Sequence, residues 1–321
     1  SMNKPSMIRL ALIGCGEHAE VGHAIPLARY QSEHPQAIAL VAACDIRIER
    51  AQRFGQQYGF KASYGNIDEM LSREEIDGCI AVVPPERISE TGILLLNRHI
   101  ACVVEKPLGS VLAEVEELAK KAAESGTPNM VSVNRRFMPF LNRALEWARN
   151  AGSVRYVHCT LARHARSERE FLWATAVHAV DTLRYIAGEV EGLEFRTTMV
   201  GTTDWYAIDL HFRSGVEGRI DVLPTAGMVE ETYNLCGDGF RISITCPFGR
   251  KRGWLVYRNE VLVTEEWASD DVPEDLINGF YHETAAFIRA LRDRSLLTPS
   301  IADVAPSVQI CMSIALQQRG R

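Results

Sequence analysis

Several absences narrow the chain before any motif is read. No apolar run approaches the ~20 residues that a helix needs to cross a bilayer, so no membrane span is expected. There is no Cys-x-x-Cys pair; the eight cysteines (15, 44, 79, 102, 159, 236, 246 and 311) stand singly, mostly in apolar runs. That usage points to reduced, buried thiols rather than disulfides or zinc, and no metal is expected. Nor is there a block of basic charge: the net charge of -6 comes from interspersed signs, so nucleic acid is not an expected partner. Repeats and low-complexity linkers are missing too. Ser1-Met2-Asn3-Lys4-Pro5 lacks an apolar signal segment, and Ser1 ahead of Met2 reads as a cloning remnant. The expectation is a cytoplasmic protein acting on a small molecule. Its 46% hydrophobic and 24% charged residues are those of a globular chain, and 321 residues exceed one typical core.

The order of apolar runs gives the architecture. Short runs at 7–13, 38–44, 78–83 and 100–104 alternate with helical stretches at 21–30, 48–58, 67–72 and 87–97. A periodic helix at 111–125, stopped by Gly126, leads to a further run at 130–133. Alternating strand and helix signals a parallel sheet with helices on both faces. From about residue 153 the period becomes two, at 154–161, 207–212, 216–223, 231–236, 240–245 and 254–263. Such alternation indicates an antiparallel sheet with one wetter face. One helix at about 173–187 interrupts it, and two close the chain at about 277–293 and 302–317. The expected division is residues 1–127, α/β, and 128–321, α+β.

Gly14-x-Gly16-x-x-Ala19 stands between the first run and the first helix, the context that a dinucleotide fingerprint requires. Gly14 permits the tight turn and Gly16 lets backbone approach a diphosphate. The N–H groups of the next turn, Glu17 and His18 among them, supply donors. Asp45 ends the second run, where a carboxylate can accept from the adenosine ribose, although it falls about ten residues beyond the usual ~20. A carboxylate there disfavours a 2′-phosphate and points to NAD, while Arg47 offers a phosphate partner that leaves NADP open. Pro84 closes the third run.

Glu105-Lys106-Pro107 follows the apolar run 100–104, at the strand end where open α/β sheets bind ligands. Lys106 reads either as a lysine paired with Glu105 in water or as a general acid–base at a cofactor. His178 and Asp181, three apart on a helix, share a face. Arg163, His164 and Arg166 form a polar cluster that reads as a carboxylate or phosphate reader, or as a solvated loop. Arg135 follows the run at 130–133, and Tyr281 opens the penultimate helix.

Taken in order, these motifs resemble the Gfo/Idh/MocA oxidoreductase family. So do Asn134-Arg135-Arg136-Phe137, His178-x-x-Asp181-x-x-Arg184-Tyr185 and Asn278-Gly279-Phe280-Tyr281-x-Glu283. The resemblance spans nearly the whole chain, and Glu105-Lys106-Pro107 is its most specific element. It implies an NAD(P)-binding Rossmann domain and a second domain with an open-faced, largely antiparallel sheet, often the contact of a homodimer or homotetramer. It further implies hydride transfer on sugars, polyols or their relatives. Lys106 and His178 would be the acid–base groups. Gly14, Gly16, Glu17, His18, Asp45, Arg47, Pro84, Glu105 and Lys106 would lie at the cofactor, with Arg135, Arg163, His164, Asp181 and Tyr281 at the substrate.

The chain departs from that pattern at three places. Ala174 stands where an aspartate is usual, four residues before the histidine; Ala176 replaces a usual glycine; Ile88 takes the place of a histidine. A missing carboxylate weakens support for the imidazole. Two further readings on the same scaffold therefore stay open. One is a non-catalytic NAD(P)-binding sensor. The other is a lyase- or epimerase-like reaction that recycles bound NAD.

Overall fold

The computed structural model describes residues 6–320, so the reading of Ser1–Pro5 lies outside the described residues. The first sheet has strands β1 (Ile8–Ile13), β2 (Ile38–Cys44), β3 (Ala62–Tyr64), β4 (Gly78–Ala81), β5 (Ala101–Glu105) and β6 (Asn129–Ser132). They lie in the order β3-β2-β1-β4-β5-β6, every pair parallel. Continuous apolar sequence follows from that place: strands covered on both faces have no side that can stay polar. Leu10, Leu12, Leu40 and Val104 are fully buried.

The helices Ile48–Tyr58 and Leu112–Ser125 end at Gly59 and Gly126, as their sequences predict. The helix expected at 21–30 differs. It begins at Glu17, passes through a π turn at Glu20–Ala24 and runs on to Glu33. The strand expected to end at Val104 includes Glu105, which therefore sits in the sheet.

Strand order reverses between β1 and β4, the switch point beyond which such sheets bind dinucleotides. Gly14 ends β1 there with φ +90°, and a Cβ on it would lie 1.9 Å from the Val82 carbonyl oxygen. Both the backbone conformation and the close approach exclude any other residue.

The second sheet comprises β7 (Val154–Ala162), β8 (Val190–Val200), β9 (Thr203–Phe212), β10 (Glu217–Leu223), β11 (Glu230–Gly237), β12 (Phe240–Thr245), β13 (Gly253–Arg258) and β14 (Val261–Trp267). Its order is β14-β13-β12-β11-β7-β10-β9-β8, with β7 and β10 parallel and every other pair antiparallel. One face packs under the helices Pro139–Ala151 and Val177–Ala187, burying Val157, Ile208, Ile220, Leu235 and Ile242. The alternate residues stay half-buried or exposed, so the sheet is open-faced as expected. The run 254–263 is two strands, turned at Asn259 and Glu260, both with positive φ. Strand β8 and the helix Pro139–Ala151 are not anticipated; no residue of β8 is buried and most are exposed, so no apolar alternation marks it.

The chain forms two compact units. One runs through Val133 and takes in Phe280–Val308; the other holds Asn134–Gly279 and the segment from Gln309. The split falls after β6 rather than before it, because β6 pairs with β5 (Glu105 opposite Ser132). In the first unit the returning helix Phe280–Asp293 packs on Ile25–Glu33. Gly14→Ala should destabilise the protein by about 2–4 kcal/mol, through positive φ and steric overlap together; urea unfolding of both proteins at one pH measures it, and an unchanged midpoint would refute this account of the turn.

Candidate active site

The fingerprint turn is built from β1, β2 and the helix that follows Gly16. That helix starts with no side-chain cap on Gly16, so its first N–H groups remain for an anion. A Cβ on Gly16 would meet nothing within 4 Å, an open flank beside the turn. Asp45, just past β2, fixes the geometry: its Oδ2 accepts from Cys15 N and its Oδ1 from Arg47 N, both at 2.8 Å. Each oxygen keeps a lone pair for a ribose hydroxyl. Ile46, 91% exposed, stands between Asp45 and Arg47. Pro84 precedes the helix Pro85–Asn97 at the end of β4. The chemistry of this donor and acceptor set fits a dinucleotide: a glycine turn, the first N–H groups of a helix and a strand-end carboxylate.

Glu105, buried at the end of β5, carries the strongest electrostatics of this unit. Its Oε1 takes contacts from two imidazoles, His18 Nε2 at 3.1 Å and His23 Nε2 at 2.7 Å. Burial pushes the carboxyl up, but the charge and hydrogen bonds of His18 and His23 outweigh it and hold the group well below the usual carboxylate range. The balance is reasonable in size: burying one ion costs several kcal/mol, and each charge-assisted bond returns about 1.5–3 kcal/mol. Glu283, on the helix Phe280–Asp293, shows the opposite outcome. Burial and the charge of Glu105 raise it well above the usual range, with only the Ser132 hydroxyl, 2.8 Å away, opposing them. Its surroundings thus favour the protonated carboxyl, and its Oε1 is buried without a hydrogen-bond partner.

The three donor atoms of His18, His23 and Glu105 lie within 4.8 Å of one another, a spacing that could also hold a metal ion. Both imidazoles already share one carboxylate oxygen, so hydrogen bonding accounts for their convergence. Lys106 follows, half-buried, with a cis peptide to Pro107.

In the second unit the sequence-predicted residues prove heavily engaged. Glu231 on β11 is fully buried and clamped by Arg135 (Nε 3.1 Å, Nη2 2.5 Å) and Arg163 (Nη2 2.6 Å), with the Tyr233 hydroxyl donating at 3.0 Å. Burial raises the Glu231 carboxyl, and the two guanidiniums bring it below its ordinary value. Both guanidiniums also lie over the Phe248 ring, at 5.7 and 4.9 Å. Asp181 accepts a bidentate pair from Arg136, Nε at 2.9 Å and Nη2 at 2.8 Å. His178 is buried on the helix Val177–Ala187, and Ala174 ends the short helix Phe171–Ala174. His164 is exposed. In the first unit Tyr281 donates its hydroxyl to Glu33, and Ile88 is buried.

His23, Glu231 and Glu283 are the residues that sequence reasoning missed as site-builders. His23 lies five residues from His18, which on a regular helix puts it on another face. Glu231 falls at a core-facing place in the alternation of β11, which was the available signal.

Comparison with known proteins agrees with this geometry. The model of the Gfo/Idh/MocA oxidoreductase family, with an NAD-binding Rossmann fold, matches residues 8–134. Trans-1,2-dihydrobenzene-1,2-diol dehydrogenase of Oryctolagus cuniculus is 31% identical across 74% of this chain and 70% of that protein. The chain belongs to the Gfo/Idh/MocA family. Another relative, 4-carboxy-2-hydroxymuconate-6-semialdehyde dehydrogenase of Sphingobium sp., is 24% identical over 98% of this chain and 100% of that one. A dehydrogenase structure from Chromobacterium violaceum superposes with TM-score 0.86 at 20% identity, over 98% of this chain and 97% of that chain. This Gfo/Idh/MocA protein is thus an NAD-binding oxidoreductase, and among its described residues no helix is long and apolar enough to cross a membrane.

Two outcomes are expected. Asp45 should make calorimetric NAD binding at least about tenfold tighter than NADP binding, ~1.4 kcal/mol; a preference for NADP would contradict the role given to this carboxylate. Glu231→Gln should cost about 3–5 kcal/mol, because it leaves two buried guanidiniums without a counter-charge. Glu231 is depressed in the folded state, so its contribution is present above the unfolded carboxyl value of ~4.3 and lost as pH falls through the folded value. Acid unfolding curves of wild type and variant should therefore converge toward low pH.

Proposed function

We propose that this protein transfers a hydride between nicotinamide and a carbinol carbon of a sugar, polyol or related small molecule, with Lys106 as acid–base and His178 assisting. The observation that carries the reading is the placement of Lys106. It directly follows β5, at the carboxyl end of the NAD-binding sheet, next to a carboxylate whose orientation two imidazoles fix. Gly14, Gly16, Asp45 and the first turn after Gly16 would hold the dinucleotide, which when bound supplies the hydride acceptor or donor. The Lys106 amine takes the hydroxyl proton during oxidation and returns it during reduction. His178, on its buried helix, orients the substrate and shares that proton.

Asp181 supports this division of labour from a distance. Its carboxylate is committed to Arg136, so it holds the helix that carries His178. The usual supporting carboxylate is replaced by Ala174, which places more of the proton transfer on Lys106. Among the relatives, the trans-1,2-dihydrobenzene-1,2-diol dehydrogenase supports a small hydroxylated substrate. The half-exposed face of the second sheet, where Tyr156 and Tyr257 are exposed, suits self-association as a homodimer or homotetramer.

Lys106→Met should leave NAD affinity within a few-fold and lower kcat by about 10²–10⁴-fold on whichever substrate the wild type turns over. His178→Ala should lower it less. A Lys106→Met protein with undiminished kcat would remove the lysine from the mechanism.

A further inference from the structure

The helix that leaves the fingerprint turn spends a structural irregularity on one arrangement. Its π turn at Glu20–Ala24 is closed by Ile25 N donating to Glu20 O; such turns are uncommon and recur at functional sites. On a regular helix at 3.6 residues per turn, His18 and His23 would point about 140° apart. With the wider turn, both Nε2 atoms reach Glu105 Oε1.

The two imidazoles then differ in one respect that matters. The His23 side chain is 1% exposed and the His18 side chain 53%. His23 is an internal anchor, set against Phe280. His18 faces outward two residues past Gly16, on the turn that binds a dinucleotide's diphosphate in this fold, with an ionised carboxylate behind it. An imidazolium that gives its Nε2–H to Glu105 has a second donor in Nδ1–H. Its charge is favoured from behind by the carboxylate and from in front by a diphosphate.

We propose that His18, backed by Glu105, is a proton-carrying contact for the cofactor diphosphate, so that NAD binds with uptake of a proton and more tightly at lower pH. This rests on the cofactor being NAD, and not on the role given to Lys106. The ionisable groups that bear on the imidazole are Glu105 from β5, His23 from its own helix and, through Glu105, Glu283 from Phe280–Asp293. Lys106 and Glu17 are the chain neighbours of Glu105 and His18. The sign follows from linkage: a histidine whose pKa rises in the complex gives its full tightening below the free value, ordinarily ~6.5. That tightening is lost as pH rises through the complexed value.

The test is titration calorimetry of the full chain with NAD+ and with ADP-ribose, which has the same diphosphate and no nicotinamide. Measurements at pH 6.0–8.5, in EDTA and in two buffers of different ionisation enthalpy, read affinity and proton uptake together. Kd for both ligands should rise about tenfold across that range, the effect of a pKa raised by one unit. His18→Gln, on a half-exposed side chain, should bind both ligands with a flat profile and no uptake. A flat wild-type profile, or an equal slope and uptake in His18→Gln, would overturn the proposal. A slope for NAD+ but not for ADP-ribose would overturn the diphosphate assignment. No binding of either ligand at any pH would instead refute NAD as cofactor, and the proposal with it.

Discussion

Keeping one buried carboxylate ionised at the end of β5 decides how the first unit is put together. Glu105 cannot reach water, so its charge must be met by protein donors, and two imidazoles from one helix do so. Meeting it from one helix requires the π turn, since a regular helix presents only one of the two. The charge of Glu105 then adds to burial in raising the Glu283 carboxyl, against which Ser132 supplies a single hydroxyl donor. Strand end, fingerprint helix and returning helix are tied by one charge.

The second unit answers the same problem differently. Glu231 is met by two buried guanidiniums and a buried tyrosine hydroxyl, with the exposed Phe248 ring over both cations. Asp181 takes a bidentate pair from Arg136 and lies 3.8 Å from Arg184. In both clusters guanidinium donors are spent on buried carboxylates. Arg135, Arg163 and Asp181 read as substrate contacts in sequence because a charged residue next to a predicted strand end is ambiguous until its partner is known. Their partners are separated in sequence by up to 96 positions, and no local pattern carries that pairing.

What was legible follows the range of the interaction that encodes it. Parallel strands are local apolar runs, and helix stops at Gly59 and Gly126 are local backbone preferences, so both were readable. The switch-point turn was readable because its glycines stand together in sequence. The π turn was not: it exists to satisfy a carboxylate more than 80 residues away. Strand β8 was hidden for a different reason, since an edge strand with no buried residue has neither an apolar run nor a clean alternation. The return of Phe280–Val308 to the first unit is likewise a matter of packing, not of local sequence.

The charge of Glu105 is met at the strand end, just before the chain reaches Lys106: both imidazoles lie on its Oε1. The departures at Ala174 and Ile88 remove proton-handling groups that the family pattern supplies. The imidazole pair around Glu105 keeps two such groups beside the fingerprint turn, supplied by a helix that also carries the first donors after Gly16.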